Sequence, residues 1–494
     1  MPPSVQVLTL DCLRESTASD AVTPFLRSLP LQWSRCYSSG AWTLPAHASL
    51  FAGQDPIDHG VTRVERRMTG RQAALTTTAR ENGYATALFS ENPQFSSATG
   101  FGECVDDSND YIGTKLLRSE FVPVNHVDEL SASAGLSLLR TILAQPHRLR
   151  NLVNTGYAAY RRFSDTEPTY PHHGRRVISH LESYLAEQTE PVLTVMNLLD
   201  PHNPYYGAPP GQESSRSPEE EAALRNLPSN LFYLFTDDPL PEDVRAVFGD
   251  WAGAFEAEAE IYREFSREAD RLVERWRDDQ PSVFEDSLVV VVGDHGQLFG
   301  TDGVAGHGLS LHPNGIHVPL IVDPPTEWDR SDRRVDAPVS IAGLGRALTD
   351  VVAGKIADTA AFVDAVNAYS RGPGGAVITC VDGPTIEVQL LAREEFDAEL
   401  VDNHTVRKVA CIYDEYVDVY ECGWDDDTVA ATSYEYAADH RTVRPDRETP
   451  PPPPEVAAWV RRSPKAEGDD VAWRTADEEQ PAEVRARLEN LGYR

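Results

Sequence analysis

Lysine is nearly absent from this chain of 494 residues. Only four lysines occur, Lys115, Lys355, Lys408 and Lys465, so arginine supplies most of the 44 basic residues. Acidic residues number 78, which gives a formal net charge of −34. Because such a surface repels phosphate backbones, we expect no nucleic-acid partner.

The shortage of positive charge also indicates the medium in which the protein folds. An acidic, lysine-poor surface is typical of adaptation to high salt, of the halophilic archaeal type, because molar salt cuts the range of repulsion to about 3 Å. Apolar residues make up 41% and charged residues 25%, so a packed core is expected and disorder is not. An acidic mesophilic protein is the alternative.

Cysteines are few and scattered, and long apolar runs are lacking. The six cysteines are Cys12, Cys36, Cys104, Cys380, Cys411 and Cys422, without a Cys-x-x-Cys pair. This pattern favours reduced thiols over a disulfide framework, although Cys411 and Cys422 could face each other across a hairpin. No run approaches the ~18 apolar residues that span a membrane, and residues 1–10 lack a signal-peptide pattern. We therefore expect a cytoplasmic protein without a membrane span.

Short β-rich runs alternate with helical segments along most of the chain. Strands are predicted at 5–10, 86–90, 192–199, 287–292 and 317–322, and helices at 72–82, 175–188 and 256–278. This alternation predicts an α/β fold, a sandwich built on a mostly parallel mixed central sheet with helices on both faces.

Three regions depart from this alternation. We assign residues 1–370 to one large α/β domain, with 118–171 as an inserted helical and loop segment. Runs at 376–380, 386–391 and 406–420 predict antiparallel strands, so residues 371–440 are expected to form a small C-terminal α+β subdomain. Residues 441–494 are rich in proline and acidic groups, which predicts a flexible or loosely docked tail.

Acidic residues and a histidine follow the predicted strands. Asp11, Asp200, Asp294 and His295 each stand where a strand ends. Chemistry in parallel sheets gathers at the carboxyl ends of the strands, so we expect these side chains to converge. A carboxylate and an imidazole on adjacent residues can bind one divalent cation. The alternatives are a solvent-facing strand end for Asp294 and a helix N-cap for Asp11.

The segment around Thr43 predicts the start of a helix. Its sequence is Thr43-Leu44-Pro45-Ala46-His47, with proline where a first helical turn tolerates it. Thr43 lies where backbone N–H groups favour an anion, and a hydroxyl held there on a cation could attack sulfur or phosphorus. The alternative is that Thr43 only caps the helix.

In combination, these motifs resemble the sulfatase-like family of the alkaline phosphatase superfamily. The resemblance rests on Asp11, on the Thr43 segment, on Gly293-Asp294-His295-Gly296 with Gly306-His307-Gly308, and on His317-Val318-Pro319-Leu320. It covers roughly residues 5–354. It implies an alkaline phosphatase/sulfatase-like sandwich fold, with Asp11, Thr43, Asp294 and His295 on a divalent metal ion (Ca, Mg, Mn or Zn), one ion being favoured.

Two positions depart from the family pattern. Thr43 stands where true sulfatases carry the cysteine that becomes formylglycine, so the resemblance implies a threonine nucleophile, as in related phosphodiesterases and phosphoglycerol transferases. Cys12 stands where many sulfatases have a second consecutive aspartate, which leaves the metal site one carboxylate poorer.

The resemblance also implies roles for further residues. His202, in Asp200-Pro201-His202-Asn203-Pro204, would donate a hydrogen bond or a proton to the sulfuryl or phosphoryl group. His307 would contact the substrate oxyanion or protonate the leaving oxygen, and His47 would orient Thr43. Asp200 is a candidate ligand of a second metal ion or of the substrate. An incidental histidine in a proline turn is the alternative for His202.

We therefore expect a metal-dependent hydrolase of sulfate or phosphate esters with a threonine nucleophile. Its substrate would be a small molecule or a glycan ester. A phospho- or phosphoglycerol-type transferase with the same residues is one alternative, and a non-catalytic binding protein that retains the fold is another. Sulfur against phosphorus, metal identity and oligomeric state are left open by the sequence.

Overall fold

The computed structural model describes residues 2–63, 65–112, 115–118, 142, 148–163, 171–227, 233–235, 240–382, 407–422, 428–437 and 439–461. Its strands are β1 Ser4–Leu10, β2 Leu31–Tyr37, β3 Ala85–Phe89, β4 Asp107–Asn109, β5 Val192–Leu198, β6 Tyr233–Phe235, β7 Ser287–Gly293, β8 Leu298–Thr301, β9 Val304–Gly306, β10 His317–Asp323, β11 Arg333–Val335, β12 Val339–Ser340, β13 Val377–Val381, β14 Arg407–Ile412, β15 Val417–Cys422, β16 Val429–Tyr436 and β17 Arg441–Val443.

Helices connect and cover these strands. They are α1 Pro24–Arg27, α2 Thr43–Ala52, α3 Pro56–His59, α4 Ala74–Glu81, α5 Arg148–Phe163, α6 Gly174–Leu185, α7 Pro218–Asn226, α8 Glu242–Phe248, α9 Trp251–Asp279, α10 Pro281–Asp286, α11 Pro313–Ile316, α12 Ile341–Val352, α13 Thr359–Tyr369 and α14 Pro454–Val460. The helices and strands predicted in the first 370 residues all occur, with ends that shift by a few residues.

The central sheet has nine strands in the order β11-β2-β10-β7-β1-β5-β3-β4, with β12 also paired to β2. Among its described strands, only β10 runs antiparallel to its neighbours β2 and β7; the other pairings are parallel. The predicted mostly parallel mixed sheet is therefore confirmed. Strand β2 was not predicted, because its apolar and polar residues show no clean period.

The sheet is buried on both faces, which explains the run of four valines in β7. Val290 and Val292 lie in a core formed with α2, α4, α12 and α13. Val289 and Val291 lie in the opposite core, formed with α6 and α9. A strand covered on both faces needs apolar residues at every position rather than at alternate ones.

The C-terminal segment forms an antiparallel sheet in the order β13-β14-β15-β16-β17, as predicted. Cys411 pairs with Asp418 and Cys422 with Arg407 across the β14–β15 hairpin, so these two cysteines do not face each other. All six cysteines are buried free thiols. The strand predicted at 386–391 lies outside the described residues.

Part of the predicted tail is packed. Strand β17 pairs with β16, and Val456 and Trp459 of α14 are buried against the C-terminal sheet. Residues 441–461 therefore do not form a loose extension, while 462–494 lie outside the described residues, as does most of the 118–171 insertion apart from α5. Among the described helices, none has the length and hydropathy to cross a membrane.

Candidate active site and metal centre

Strands β1 and β7 bring the predicted metal ligands together. They pair in parallel with Leu10 opposite Gly293, so Asp11, Asp294 and His295 follow at the same edge of the sheet. His295 Nε2 lies 3.4 Å from Asp11 Oδ1, 3.5 Å from Asp294 Oδ2 and 3.3 Å from Thr43 Oγ1. Oxygen atoms from three separate segments thus surround one imidazole nitrogen.

Thr43 is the first residue of α2, and its hydroxyl faces this cluster. The N-cap of α2 is Trp42, which has extended backbone and no capping side chain. Thr43 is therefore the first residue of the helix rather than its N-cap. Its hydroxyl instead lies between His295 and the Asn92 amide, which donates to Thr43 Oγ1 over 3.2 Å.

The donor atoms fit a divalent cation. Asp294 Oδ2 is buried and, in the described part of the chain, receives no hydrogen bond. His295 Nδ1 donates to the Gly296 carbonyl over 2.9 Å, so Nε2 carries the ring's lone pair. Burial lowers the pKa of His295 to about 4, which keeps that lone pair available. Two carboxylates, a hydroxyl and a neutral imidazole form a donor set suited to Mg²⁺, Mn²⁺, Ca²⁺ or Zn²⁺.

The two carboxylates respond differently to their surroundings. Burial and the neighbouring Asp11 raise the pKa of Asp294 well above its ordinary value. Burial also opposes ionisation of Asp11, but His202, His295 and the amides of Asn92 and Asn197 outweigh it and lower the pKa of Asp11. Two buried carboxylates at one position carry full negative charge more easily when a cation lies between them.

Two asparagines that the sequence did not single out hold Asp11. Asn92 Nδ2 donates to Asp11 Oδ2 over 2.7 Å, and Asn197 Nδ2 donates to the same oxygen over 3.1 Å. Asn92 follows β3 by three residues, and Asn197 is a buried amide inside the apolar strand β5. A polar residue inside a buried strand was the signal that could have identified Asn197.

His47 positions the start of α2 from one turn further along. Its Nδ1 donates to the Thr43 carbonyl over 2.8 Å, and its Nε2 lies 2.9 Å from the Thr9 hydroxyl. The ring stacks on Phe95 with centroids 4.0 Å apart. Burial lowers the pKa of His47 to about 4. His47 therefore contacts the backbone of Thr43 rather than its hydroxyl.

His202 and His307 lie beside the cluster. His202 Nε2 is 3.9 Å from Asp11 Oδ1, and the ring centroids of His202 and His307 are 5.1 Å apart. His307 Nδ1 bonds Gln297 Oε1 over 2.9 Å, and burial holds the pKa of His307 well below its ordinary value. The Cys12 thiol joins this group, 3.8 Å from His307 Nδ1. From the sequence, Cys12 is notable only because it stands in place of an aspartate.

Asp200 has different surroundings. A Cβ atom on Gly174, the first residue of α6, would lie 2.2 Å from Asp200 Oδ2, so the carboxylate is packed against that helix start. An anion is favourable at a helix N-terminus. Within the described residues, the side-chain groups able to share an ion near the site do not include Asp200.

The side chains of the site are buried. Asp11, Thr43, His47, His202, Asp294, His295 and His307 are each at most 2% exposed. Electrostatic interactions are therefore stronger here than they would be at the surface.

Comparison with known families identifies the class of protein. The model of the Sulfatase family matches residues 16–354, more than half of the chain, so the chain belongs to this family. This membership confirms the predicted enzyme class, a hydrolase of sulfuric or phosphoric esters. A search of curated protein sequences found no match.

Solved structures share the whole fold at low sequence identity. The phosphonate monoester hydrolase of Agrobacterium radiobacter is 18% identical with a TM-score of 0.55, covering 98% of this chain and 96% of its own. The phosphonate monoester hydrolase of Silicibacter pomeroyi is 15% identical with a TM-score of 0.54, covering 99% and 96%. BT4656, solved with its substrate D-glucosamine-2-N,6-O-disulfate, is 11% identical with a TM-score of 0.50, covering 99% and 98%. The predicted alkaline phosphatase/sulfatase-like fold is confirmed.

Proposed function

We propose that this protein hydrolyses a sulfate or phosphate ester by attack of the Thr43 hydroxyl, beside one divalent cation held by Asp11, Thr43, Asp294 and His295. The observation that carries the proposal is the convergence of Thr43 Oγ1, Asp11 Oδ1 and Asp294 Oδ2 within 3.5 Å of His295 Nε2. A binding protein that merely retained the fold would not need a buried hydroxyl at this position.

The chain's own residues define the sequence of events. Thr43 Oγ1 forms a bond to sulfur or phosphorus and gives up its proton, and the ester oxygen leaves with the electrons of the bond that breaks. A bound divalent cation would supply Lewis-acid stabilisation of the oxyanion and lower the pKa of the Thr43 hydroxyl. His202 or His307 passes that proton to the leaving oxygen, which departs as an alcohol. Burial holds the pKa of His307 well below its ordinary value, so this ring binds a proton weakly.

Asn92 and His47 hold the nucleophile in place. Asn92 donates to the hydroxyl oxygen of Thr43, and His47 holds its carbonyl. In a second step, water attacks the sulfuryl or phosphoryl group on Thr43 and releases it. The chain cannot form a catalytic formylglycine, because residue 43 is threonine and none of its cysteines stands in a Cys-x-Pro-x-Arg motif.

The proposal also covers the class of substrate, the adaptation to salt and the cellular compartment. A small-molecule or glycan ester is proposed, supported by the sulfated sugar that BT4656 binds. The net charge of −34 with four lysines supports a halophilic, archaeal-type protein. Six free thiols support a reducing, cytoplasmic setting.

Hydrolysis of matched p-nitrophenyl esters tests the proposal. The sulfate, the phosphate monoester and a phosphate diester would be compared in molar KCl, with Ca²⁺, Mg²⁺, Mn²⁺ or Zn²⁺ added to the metal-stripped protein. We expect metal-dependent turnover that Thr43→Ala abolishes, while Thr78→Ala on α4 retains it. Turnover that survives Thr43→Ala would refute the threonine nucleophile, and the preferred ester would distinguish sulfur from phosphorus.

A further inference from the structure

A thiol and two imidazoles lie next to the four proposed metal ligands. Cys12 follows Asp11, His202 follows β5, and His307 follows β9. One potential ligand atom from each lies within 4.8 Å of the other two, and all three residues are buried. We propose that Cys12, His202 and His307 form a second cation site, selective for a thiophilic ion such as Zn²⁺. Its role in catalysis rests on the proposed function, whereas the binding site rests on this geometry.

Hydrogen bonds around the two histidines resemble those of metal ligands. His202 Nδ1 donates to the Asn203 carbonyl, so Nε2, on the side of Asp11, carries the lone pair. The Gln297 carboxamide holds His307 and Cys12 together, with its Oε1 2.9 Å from His307 Nδ1 and 3.6 Å from Cys12 Sγ. Histidine ligands usually bond a carbonyl or carboxylate through the other ring nitrogen, which fixes the orientation of the ring.

The spacing also suits zinc. Zn–S bonds of about 2.3 Å and Zn–N bonds of about 2.1 Å separate sulfur and nitrogen by about 3.6 Å at a tetrahedral angle. One potential ligand atom from each of the three residues lies within 4.8 Å of the other two, so a small shift of the side chains brings them to this spacing. Three protein ligands with a fourth position left for water or substrate are typical of catalytic zinc sites.

This ligand set differs from that of the first site in chemical softness. Asp11, Asp294 and Thr43 offer oxygen, whereas Cys12 offers sulfur, which selects Zn²⁺ over Ca²⁺ or Mg²⁺. In the proposed reaction, an ion at this site would stabilise the negative charge on the leaving oxygen. It would thereby replace the proton that His202 otherwise delivers. The sequence favoured a single metal ion, whereas the positions of Cys12, His202 and His307 suggest a second binding site.

Cobalt binding to the full-length, metal-stripped protein under reducing conditions tests the site. We expect a thiolate-to-cobalt charge-transfer band in the near ultraviolet and, after dialysis against Zn²⁺, two equivalents of bound zinc. Cys12→Ala should lose the band and one equivalent of zinc. Cys36→Ala, which removes an equally buried thiol from β2, should keep both.

X-ray absorption of the wild-type zinc protein supplies a measurement that needs no variant. A zinc–sulfur shell near 2.3 Å is expected. Absence of that shell, or a cobalt band that persists in Cys12→Ala, would overturn the proposal. Thr43→Ala separates this site from the proposed function, because it should abolish turnover and leave the cobalt–thiolate band unchanged. A turnover that does not depend on Thr43, with the band intact, would reject the nucleophile and keep this site.

Discussion

Asn92 bridges Asp11 and Thr43: its Nδ2 donates to Asp11 Oδ2 over 2.7 Å and to Thr43 Oγ1 over 3.2 Å. One amide group therefore sets the distance between a proposed metal ligand and the proposed nucleophile. The bridge arises because β3 is separated from β1 only by β5, so that the loop after β3 reaches the same edge of the sheet.

We expect Asn92→Ala to lower kcat by about 10- to 100-fold, the range typical for loss of a group that orients metal ligands. The hydroxyl of Thr43 and the Asp11 carboxylate would lose a shared donor, while the nucleophile itself remains. Steady-state kinetics with the preferred p-nitrophenyl ester measures the effect. Asn82→Ala, at the exposed end of α4, is the matched control. Unchanged turnover in Asn92→Ala would show that the bridge has no positioning role.

Divalent metal should stabilise the folded wild-type protein, and Asp294→Asn should remove most of that stabilisation. Binding to the folded state alone adds about 2.7 kcal/mol at a ligand concentration of 100 times Kd. The exposed Asp286→Asn, just before β7, serves as control. Thermal unfolding with and without Mn²⁺ measures the difference. An Asp294→Asn protein that gains as much stability from Mn²⁺ as the wild type would argue against Asp294 as a ligand.

His59 should make stability depend on pH. Burial lowers the pKa of His59 to about 3, and its Nδ1 accepts a hydrogen bond from the Val61 backbone N–H over 3.0 Å. Since the folded pKa lies below the unfolded value near 6.5, the stabilisation is fully present above pH 6.5 and is lost as pH falls towards 3. At pH 4 to 6 the slope attributable to this group is about 1.4 kcal/mol per pH unit.

Urea unfolding of wild type and His59→Gln over that pH range isolates this contribution from those of other groups. The free energy of unfolding of His59→Gln should change less steeply with acidification than that of the wild type. His440→Gln, which alters an exposed histidine, should keep the wild-type slope. Equal slopes for wild type and His59→Gln would contradict a buried neutral His59.

Salt should raise the free energy of unfolding. With a net charge of −34, repulsion between surface carboxylates acts over a Debye length of about 10 Å at 0.1 M salt and about 3 Å at 1 M. We expect the midpoint of urea unfolding to increase steadily from 0.1 M to 2 M KCl. Sucrose at equal osmolality controls for solvent exclusion, since it does not screen charge. A midpoint that follows osmolality alone would contradict adaptation to salt.

The sequence by itself determined the α/β class and the strand ends that carry Asp11, Asp294 and His295. Four consecutive β-branched residues favour a strand covered on both faces, and parallel strands place their carboxyl ends at one edge. The strands of the C-terminal sheet were found for a similar reason, since they carry β-branched residues between turns.

Only the tertiary structure decided which polar groups complete the site. Asn92, Asn197 and Cys12 come from three separate segments, and no local pattern distinguishes an amide that holds Asp11 from one that faces solvent. Strand β2 likewise depends on its partner β10, which buries residues whose sequence has no strand period. Asp200 and His47 have side chains that are common in catalytic sites. In this structure Asp200 packs against Gly174 instead, and His47 bonds the Thr43 carbonyl rather than its hydroxyl. Long-range packing sets these contacts, and side-chain chemistry alone does not specify them.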